Sequence, residues 1–493
     1  MGEEWCTEHL KSLEIVDRRT TALNELKSHL ITKGKDDAAI YDQVLSSKNL
    51  FECLNETNSE DSTLACDVLA ICMSNLELEK SIQNTNLLGS ALTHHNPKVQ
   101  ALGCVEISRI LRNCPNGIKD VNLVISLIDC LKSEELNVSL PCIPILVQLL
   151  PQFLDISTVM SRFLGTLDAE ASVKCRSYEI AVKIAKVSAD RLNHMDGVLE
   201  KAVADLESTD ILFQLNMIEI LSELAENDHG LLYLENKGVF TKLLKEIEQI
   251  SQNPLSNFVI PGLMKFYARI ATKYPEKVFE QFPQVIFALF ECLVISLDYT
   301  ILPTALDTLG VLARSRTGKI FLENTFGPQM KQTLHDMGAN IQNLPTDLKI
   351  RILECLDNVF YTNPEENDNQ VACITESWYK IVSQNDQSLQ FVFKYIQNPF
   401  PDIKGASYSL LKTLCHVKWG HERLNKTGGL IEYLLDRSTE SDKDLKIVKY
   451  EIICLLAESN VFPPRILVQL KSYVSEGAFF VRGMTEVAVE GAQ

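Results

Sequence analysis

Short motifs for catalysis and nucleotide binding are missing from this 493-residue sequence. It has no GxxxxGK(S/T) phosphate loop, no GxGxxG fingerprint, no GxSxG elbow and no HExxH zinc motif. The adjacent His94 and His95 would point about 100° apart on a helix, so we expect an inter-repeat turn there rather than a metal site. Cys415, His416 and His421 lie in an ordinary helical pattern without an evident triad partner. We therefore predict a protein that is not an enzyme and has no cofactor, metal or catalytic residue.

Long hydrophobic runs are also missing. The longest apolar stretch, near residues 140–154, is too short and too rich in proline to cross a bilayer. The first residues lack the basic start and apolar stretch of a signal peptide. No CxxC occurs, and most of the fourteen cysteines lie within apolar helical patterns, which indicates reduced core thiols. We therefore expect a cytoplasmic protein that is also present in the nucleus.

Positive charge is scarce. Lys and Arg number 47 against 65 Asp and Glu, and the formal net charge is −18. Nucleic acids and anionic membranes are bound by basic surfaces, so this balance argues against both as partners. It does not exclude a local basic patch. An acidic surface favours a protein partner with basic features.

What the sequence does contain is a repeating helical unit. Segments recur that open with a capping residue and continue with apolar residues three or four positions apart, which predicts amphipathic helices. The clearest begin at Asn96, Asp168, Ser208, Asn253, Leu344, Asn398 and Ser441. Successive starts lie roughly 35 to 55 residues apart, a spacing typical of HEAT and armadillo repeats.

Glycines mark a second element in three of these units. Gly230 and Gly238 bracket one short helix, and Gly318 and Gly327 bracket another. Gly420 precedes a third, which ends before the pair Gly428 and Gly429. We interpret these glycines as left-handed caps that follow one helix and precede the next, a pattern closer to armadillo than to HEAT repeats.

These patterns predict an all-α, HEAT/armadillo-like helical-repeat solenoid that forms a single curved superhelix. We expect capping helices over residues 1–50, about nine or ten repeats over 51–473 and a non-helical tail over 474–493. The acidic and amide-rich run at Tyr361–Gln370 predicts a solvated turn between repeats. The tail has three glycines and a mixture of aromatic and β-branched residues, which is unfavourable for a helix.

Aromatic and basic residues cluster in one middle repeat. The segment contains Phe258, Lys265, Phe266, Tyr267 and Arg269 within twelve positions. One interpretation is a core with two aromatic rings and two solvated cations. The other is a partner-binding patch on the concave face, because aromatic residues and arginine are common anchors of protein interfaces. We name these five residues as the candidate partner-binding site.

Several segments resemble a known family. "NPLSNFVIPGLMKF", "ITESWYKIV", "NPFPDI", "GLIEYLLDRSTESDKDLKIVKYEI" and the terminal "YVSEGAFFVRGMTEVAVEGAQ" are similar to the proteasome non-ATPase regulatory subunit 5 family. The likeness runs in register from about Asn253 to the end of the chain, and before that it is mainly a matter of repeats. The tail is the most specific part. It is expected either to close the apolar end of the last repeat or to contact a partner.

The resemblance implies a non-catalytic chaperone for assembly of the base of the proteasome regulatory particle. Members bind the C-terminal domain of one proteasomal ATPase subunit, in a module with a second ATPase and a large non-ATPase scaffold subunit. They leave before the proteasome is complete. A concave acidic surface would cover the part of the ATPase that docks on the core particle. The alternative is a generic armadillo-type adaptor for transport or trafficking, although three tryptophans are too few for the ladder of such grooves.

Overall fold

The computed structural model describes residues 2–33, 38–55, 60–249, 256–294, 299–366 and 368–480. Within these ranges the chain forms helices and connecting turns and contains no strand. The chain divides into two compact units, residues 1–239 and 240–493. The all-α prediction is therefore confirmed.

Helices of the first unit are mostly eight to eighteen residues long. Their bounds are α1 (Gly2–Ser12), α2 (Val16–Lys33), α3 (Ala38–Leu45), α4 (Lys48–Cys53), α5 (Glu60–Asn75), α6 (Leu78–Gln83), α7 (Thr85–Leu92), α8 (Pro97–Asn113), α9 (Val121–Cys130), α10 (Leu136–Leu149), α11 (Ser157–Leu164), α12 (Ala171–Ala185), α13 (Ala189–Asp205), α14 (Ile211–Ser222) and α15 (Asp228–Asn236).

The second unit continues in the same manner. Its helices are α16 (Val239–Gln249, from the boundary residue), α17 (Ser256–Lys273), α18 (Pro275–Gln281), α19 (Pro283–Cys292), α20 (Leu302–Arg314), α21 (Arg316–Asn340), α22 (Thr346–Phe360), α23 (Asn369–Val382), α24 (Gln390–Ile396), α25 (Pro401–Leu414), α26 (Lys418–Asn425), α27 (Leu430–Leu435), α28 (Lys443–Ala457) and α29 (Pro464–Glu476). Short 3-10 turns lie at residues 150–152, 165–168, 223–226 and 341–343.

Long helices pack side by side in each unit, and we call each such layer a long-helix row. The row of the first unit consists of α2, α5, α8, α10, α12 and α14. The row of the second unit consists of α17, α20, α22, α25 and α28. The remaining helices, which include the long α13 and α21, pack against these rows or against one another, so that each repeat buries its apolar stripe against its neighbours.

Helices begin at polar capping residues, as the sequence predicts, but some begin a few positions after the predicted residue. The Asn96 side chain accepts a hydrogen bond from the Lys98 backbone N–H at 3.0 Å, and it caps α8 as predicted. Asp210 and Asp442 cap α14 and α28, two and one residues after the predicted Ser208 and Ser441. Asn253 lies outside the described residues.

The repeating glycines have a different role from the predicted one. Gly230, Gly318 and Gly420 are each the third residue of a helix and are not C-caps. A Cβ at Gly318 would lie 1.8 Å from the carbonyl oxygen of Leu312 in the preceding helix. The corresponding separations are 2.0 Å from Leu224 at Gly230 and 1.9 Å from Leu414 at Gly420. These positions require glycine because two backbones touch there.

Left-handed glycines do occur, in fewer places. Gly238 follows α15 with φ of 67°, which confirms the predicted cap, and Gly429 precedes α27 with φ of 82°. Gly327 and Gly428 do not have positive φ. Gly327 instead lies inside α21, next to a kink at Phe326.

The end of the chain is helical for longer than predicted. Val474 and Ser475 continue α29, which ends at Glu476. Gly477 then adopts φ of 87°, a conformation that favours glycine and stops the helix. Residues 481–493, most of the predicted tail, lie outside the described residues.

Candidate partner-binding surface

The predicted site residues lie on α17, and the structure separates them into two groups. Phe258, Lys265 and Arg269 are spaced seven and four positions apart, and they lie along one face of the helix. Phe258 is 63% exposed and Lys265 is also exposed, whereas Arg269 is half-buried. These three residues form the outward face of α17 at this point of the helix row. Their contact with a partner stays a prediction.

Phe266 and Tyr267 belong to the core, which agrees with the first of the two interpretations of this segment. Their rings pack with those of Phe240 and Phe282, at centroid distances of 5.8 Å for Phe240–Phe266 and 5.2 Å for Tyr267–Phe282. Phe266 is fully buried and Tyr267 is 1% exposed. Burial raises the pKa of the Tyr267 hydroxyl. Because α17 packs against helices on two sides, its apolar stripe is wide enough to bury consecutive residues.

An acidic groove crosses the neighbouring helices of the same row. It has a volume of about 900 Å³ and lies between α20, α22 and α25. Its carboxylates are Asp307, Glu354, Asp357 and Asp402, and none of the described residues that line it is a lysine or an arginine. Gly405 and Ala406 of α25 leave room above the helix because their side chains are small. The groove is therefore open to a partner that carries positive charge.

Hydrogen bonds fix the groove's acidic side chains in place. Asp357 accepts from the Ser409 hydroxyl at 2.8 Å and also from Thr413, which joins α22 to α25. Arg351 reaches Asp307 at 3.2 Å and joins α22 to α20. The same Arg351 guanidinium also lies 3.7 Å from the Glu354 carboxylate. One arginine thus serves two of the four carboxylates, and the groove keeps an excess of negative charge.

The sequence analysis expected an acidic surface but named none of these four residues. Asp307, Glu354 and Asp402 are exposed and Asp357 is half-buried, and in the sequence each alone is indistinguishable from a solvated side chain. Their convergence depends on the register between three helices. The only signal in the sequence is their place on the polar stripes of Leu302–Arg314, Thr346–Phe360 and Pro401–Leu414.

Three of the histidines considered in the sequence form hydrogen bonds near helix ends. His94 accepts from the Asn96 backbone N–H at 3.0 Å, and His95 bonds the Asn55 carbonyl at 2.8 Å. His421 lies between the Cys415 carbonyl and the Ser459 hydroxyl, at 2.6 and 2.8 Å. Among the residues that the structure describes, no group of three or more His, Cys, Asp or Glu is placed to hold a metal ion.

The cysteine side chains lie mainly in the packed interior. None of the fourteen forms a disulfide, and most are buried. Burial raises the pKa of the Cys415 and Cys355 thiols, so neither is a thiolate at neutral pH. In the described part of the chain, no helix combines the length and apolar character needed to span a membrane.

The fold is shared with solved helical-repeat proteins. Importin beta covers 95% of this chain and 66% of its own, with a TM-score of 0.55 and 14% sequence identity. A second structure, of Kap95p with RanGDP, covers 95% of this chain and 58% of its own, with a TM-score of 0.51 at 11% identity. The chain is thus a HEAT/armadillo-type repeat protein.

Relatives in sequence define the family. The 26S proteasome non-ATPase regulatory subunit 5 of Drosophila melanogaster is 30% identical over 504 residues, and the match covers 99% of each chain. The Bos taurus protein of the same name is 31% identical over 461 residues, 90% of each chain. The family described as "Proteasome non-ATPase 26S subunit" matches residues 2–493. The chain belongs to this family of proteasome regulatory subunits.

Proposed function

We propose that this protein is a non-catalytic chaperone for assembly of the base of the proteasome regulatory particle. It binds the C-terminal domain of one proteasomal ATPase subunit, in a module with a second ATPase and a large non-ATPase scaffold subunit. Its place of action is the cytoplasm and the nucleus. The observation that supports the proposal most directly is family membership over nearly the whole chain.

The acidic groove supports a specific binding surface for this role. Four carboxylates converge between α20, α22 and α25. Phe258, Lys265 and Arg269 lie on α17, which packs against α20 in the same row. We assign the long-helix row of the second unit as the concave surface that holds the ATPase domain. A domain held there would be prevented sterically from docking on the core particle until the chaperone leaves.

The first experiment is calorimetric titration of the full chain with the C-terminal domain of each proteasomal ATPase, at moderate salt. Tight binding of one domain and not the others is the expected result. Binding of none by a folded protein would contradict the proposal and would favour a general armadillo-type adaptor, the function class of the transport receptors that share the fold.

A charge-neutralised variant tests the surface. Glu354→Gln with Asp402→Asn should raise Kd for the bound domain at least tenfold, or about 1.4 kcal/mol, because two carboxylates leave the groove. The matched control is Glu134→Gln with Asp155→Asn, which removes two exposed carboxylates from the first unit. Equal Kd values for the two double variants would exclude the groove as the binding surface.

A further inference from the structure

A second cleft in the same unit has the opposite charge. It has a volume of about 600 Å³ and lies where α20, α22 and α25 end and α21, α23 and α26 begin. The basic side chains around it are Arg314, Arg316, Lys319 and Lys418. His416 also lines it, but burial lowers the pKa of this imidazole, which is therefore not counted among the cations. Two acidic residues, Glu366 and Asp368, also line it. In a chain with a net charge of −18, such a concentration of cations requires an explanation. We call it the basic cleft.

Two of the arginines are held in fixed positions. The Arg314 guanidinium lies 3.9 Å from the ring centroid of Tyr361 and donates to the Asn358 side-chain oxygen at 2.5 Å. Arg316 donates from Nε to Asp368, which also caps α23. Within the described residues each guanidinium uses one nitrogen in these bonds, so most of its N–H donors remain available to an acceptor. A preorganised pair of this kind binds a carboxylate at low entropic cost.

Lys319 is the most unusual of the cations because it is fully buried. Its ammonium donates to the carbonyl oxygens of Ala313 and Arg314, and in the described part of the chain no carboxylate pairs with it. An ammonium so placed has lost its hydration without gaining an opposite charge. An anion in the cleft would supply part of the missing compensation.

The partial charges at helix ends add to the uncompensated positive charge of the cleft. Arg316 and Lys319 are the first and fourth residues of α21, and Lys418 is the first residue of α26. A helix N-terminus carries partial positive charge, which makes cations there unfavourable and anions favourable. Lys418 is 84% exposed and lies 3.9 Å from Glu422, so it remains accessible from solvent. The electrostatic cost of this arrangement is relieved when a negative group enters.

We propose that the basic cleft binds the carboxylate side chains of an acidic peptide segment in a protein partner. Carboxylate is favoured over phosphate because Glu366 and Asp368 already line the cleft, and they would repel a dianion more strongly than a single carboxylate. Pro364, Val371 and Val417 give the walls apolar surface that suits the methylene groups of glutamate.

The position of the cleft connects it with the acidic groove. Asn358 lines the groove and also accepts the hydrogen bond from Arg314, which lines the cleft. A partner that lays basic residues in the groove can therefore place an acidic segment at its end. The placement of one partner across both the groove and the cleft rests on the proposed function. Binding of an acidic peptide in the cleft does not depend on that function. Because the groove is negative and the cleft is positive, the two sites together would fix the orientation of the bound partner.

The test is fluorescence anisotropy of the full chain with a labelled glycine–serine peptide that carries four glutamates. A peptide with glutamines in their place is the control. At low salt we expect the glutamate peptide to bind at least tenfold more tightly. Arg314→Gln with Lys418→Gln should weaken its binding at least tenfold. Lys426→Gln, an exposed lysine outside the cleft, should leave it unchanged.

Three outcomes would overturn the proposal. These are equal binding of both peptides, unchanged binding by the double variant of the cleft, and displacement of the peptide by inorganic phosphate at lower concentration than by acetate. Circular dichroism of each variant confirms that it is folded. Because no ATPase domain is present in this assay, absence of peptide binding would leave the proposed function intact. Absence of ATPase-domain binding in the calorimetric titration would likewise leave the peptide-binding proposal intact.

Discussion

Arg437 fastens the last helix through Tyr473: its guanidinium lies 3.7 Å from the tyrosine ring centroid and donates to the tyrosine's backbone carbonyl at 3.2 Å. It also donates to the Gly477 carbonyl at 2.8 Å and to the Glu476 carboxylate at 3.0 Å. One side chain therefore satisfies carbonyls that the end of α29 would otherwise leave unpaired. Phe480 lies 5.3 Å from the same guanidinium, so the start of the terminal segment is held by the same contact.

Arg437→Ala should therefore loosen α29. Loss of several charge-assisted hydrogen bonds costs about 1–3 kcal/mol, so the amides of residues 466–477 should exchange about 5- to 150-fold faster. Hydrogen exchange measured by mass spectrometry reads this directly. Arg465→Ala, an exposed arginine on the same helix, is the control and should leave the exchange unchanged. Similar exchange in both variants would mean that Arg437 does not fasten the helix.

The glycines at the third position of α15, α21 and α26 should resist substitution. Gly318→Ala or Gly420→Ala would push a methyl group into a backbone carbonyl less than 2 Å away, so the helices must separate. We expect a loss of unfolding free energy of about 2 kcal/mol or more in urea. Gly197→Ala, at an exposed helical glycine with no atom near its Cβ position, should instead stabilise by about 0.5–1 kcal/mol. Equal effects at Gly318 and Gly197 would contradict the close-contact explanation.

Tyr267 should act as a core residue rather than a contact residue. Tyr267→Ala is expected to cost about 3–5 kcal/mol in urea unfolding, because a fully buried ring is removed from an aromatic cluster. Tyr267→Phe should cost nothing or stabilise, since the buried hydroxyl has no hydrogen-bond partner within the described residues. The exposed Lys265→Ala is the matched control, with an expected change below about 0.5 kcal/mol. A larger effect at Lys265 than at Tyr267 would reverse the assignment of the two faces.

Lys319 should make stability depend on pH. Burial, and to a smaller extent Arg314, lowers the pKa of Lys319 to about 7. In the unfolded chain a lysine holds its proton until about pH 10.4. Between these values the unfolded state binds more protons, so the free energy of unfolding rises with pH, by at most about 1.4 kcal/mol per unit. Below pH 7 both states are protonated and the contribution to the slope disappears.

Urea unfolding of Lys319→Met at pH 7, 8 and 9 tests this slope. The variant should lose most of the rise that the wild type shows, because the titrating group is gone. Lys426→Met, at an exposed lysine, should keep it. Burial also lowers the pKa of Lys449 to about 8, so part of the rise above pH 8 should persist in both variants. An unchanged slope in Lys319→Met would show that Lys319 is charged in the folded state throughout this range.

The local features that sequence predicts well are those decided within one helical turn. The Asn96 cap and the left-handed Gly238 follow from local backbone geometry, and both are found where the sequence puts them. Gly318 shows the limit of such reasoning. Its recurrence is visible in the sequence, but its cause is a contact with Leu312 in another helix, which local rules do not contain.

The candidate site shows the same division. The spacing of Phe258, Lys265 and Arg269 places them on one face of α17, and their contact with a partner stays a prediction. Phe266 and Tyr267 were grouped with them because aromatic residues suit both cores and interfaces. Packing on two sides of α17 buries both rings, and this packing depends on partners far along the chain.

By itself the sequence determined that the protein is a helical-repeat protein without strands in its described part, because capping residues and apolar spacing act within each helix. It also determined the family, through segments that relatives share. Only the tertiary structure decided which charges meet. The acidic groove draws carboxylates from α20, α22 and α25, and the basic cleft gathers Arg314 from the end of α20 with Lys319 and Lys418 from the first turns of α21 and α26. Charges interact through space, so their grouping depends on how the helices pack and not on their order in the chain.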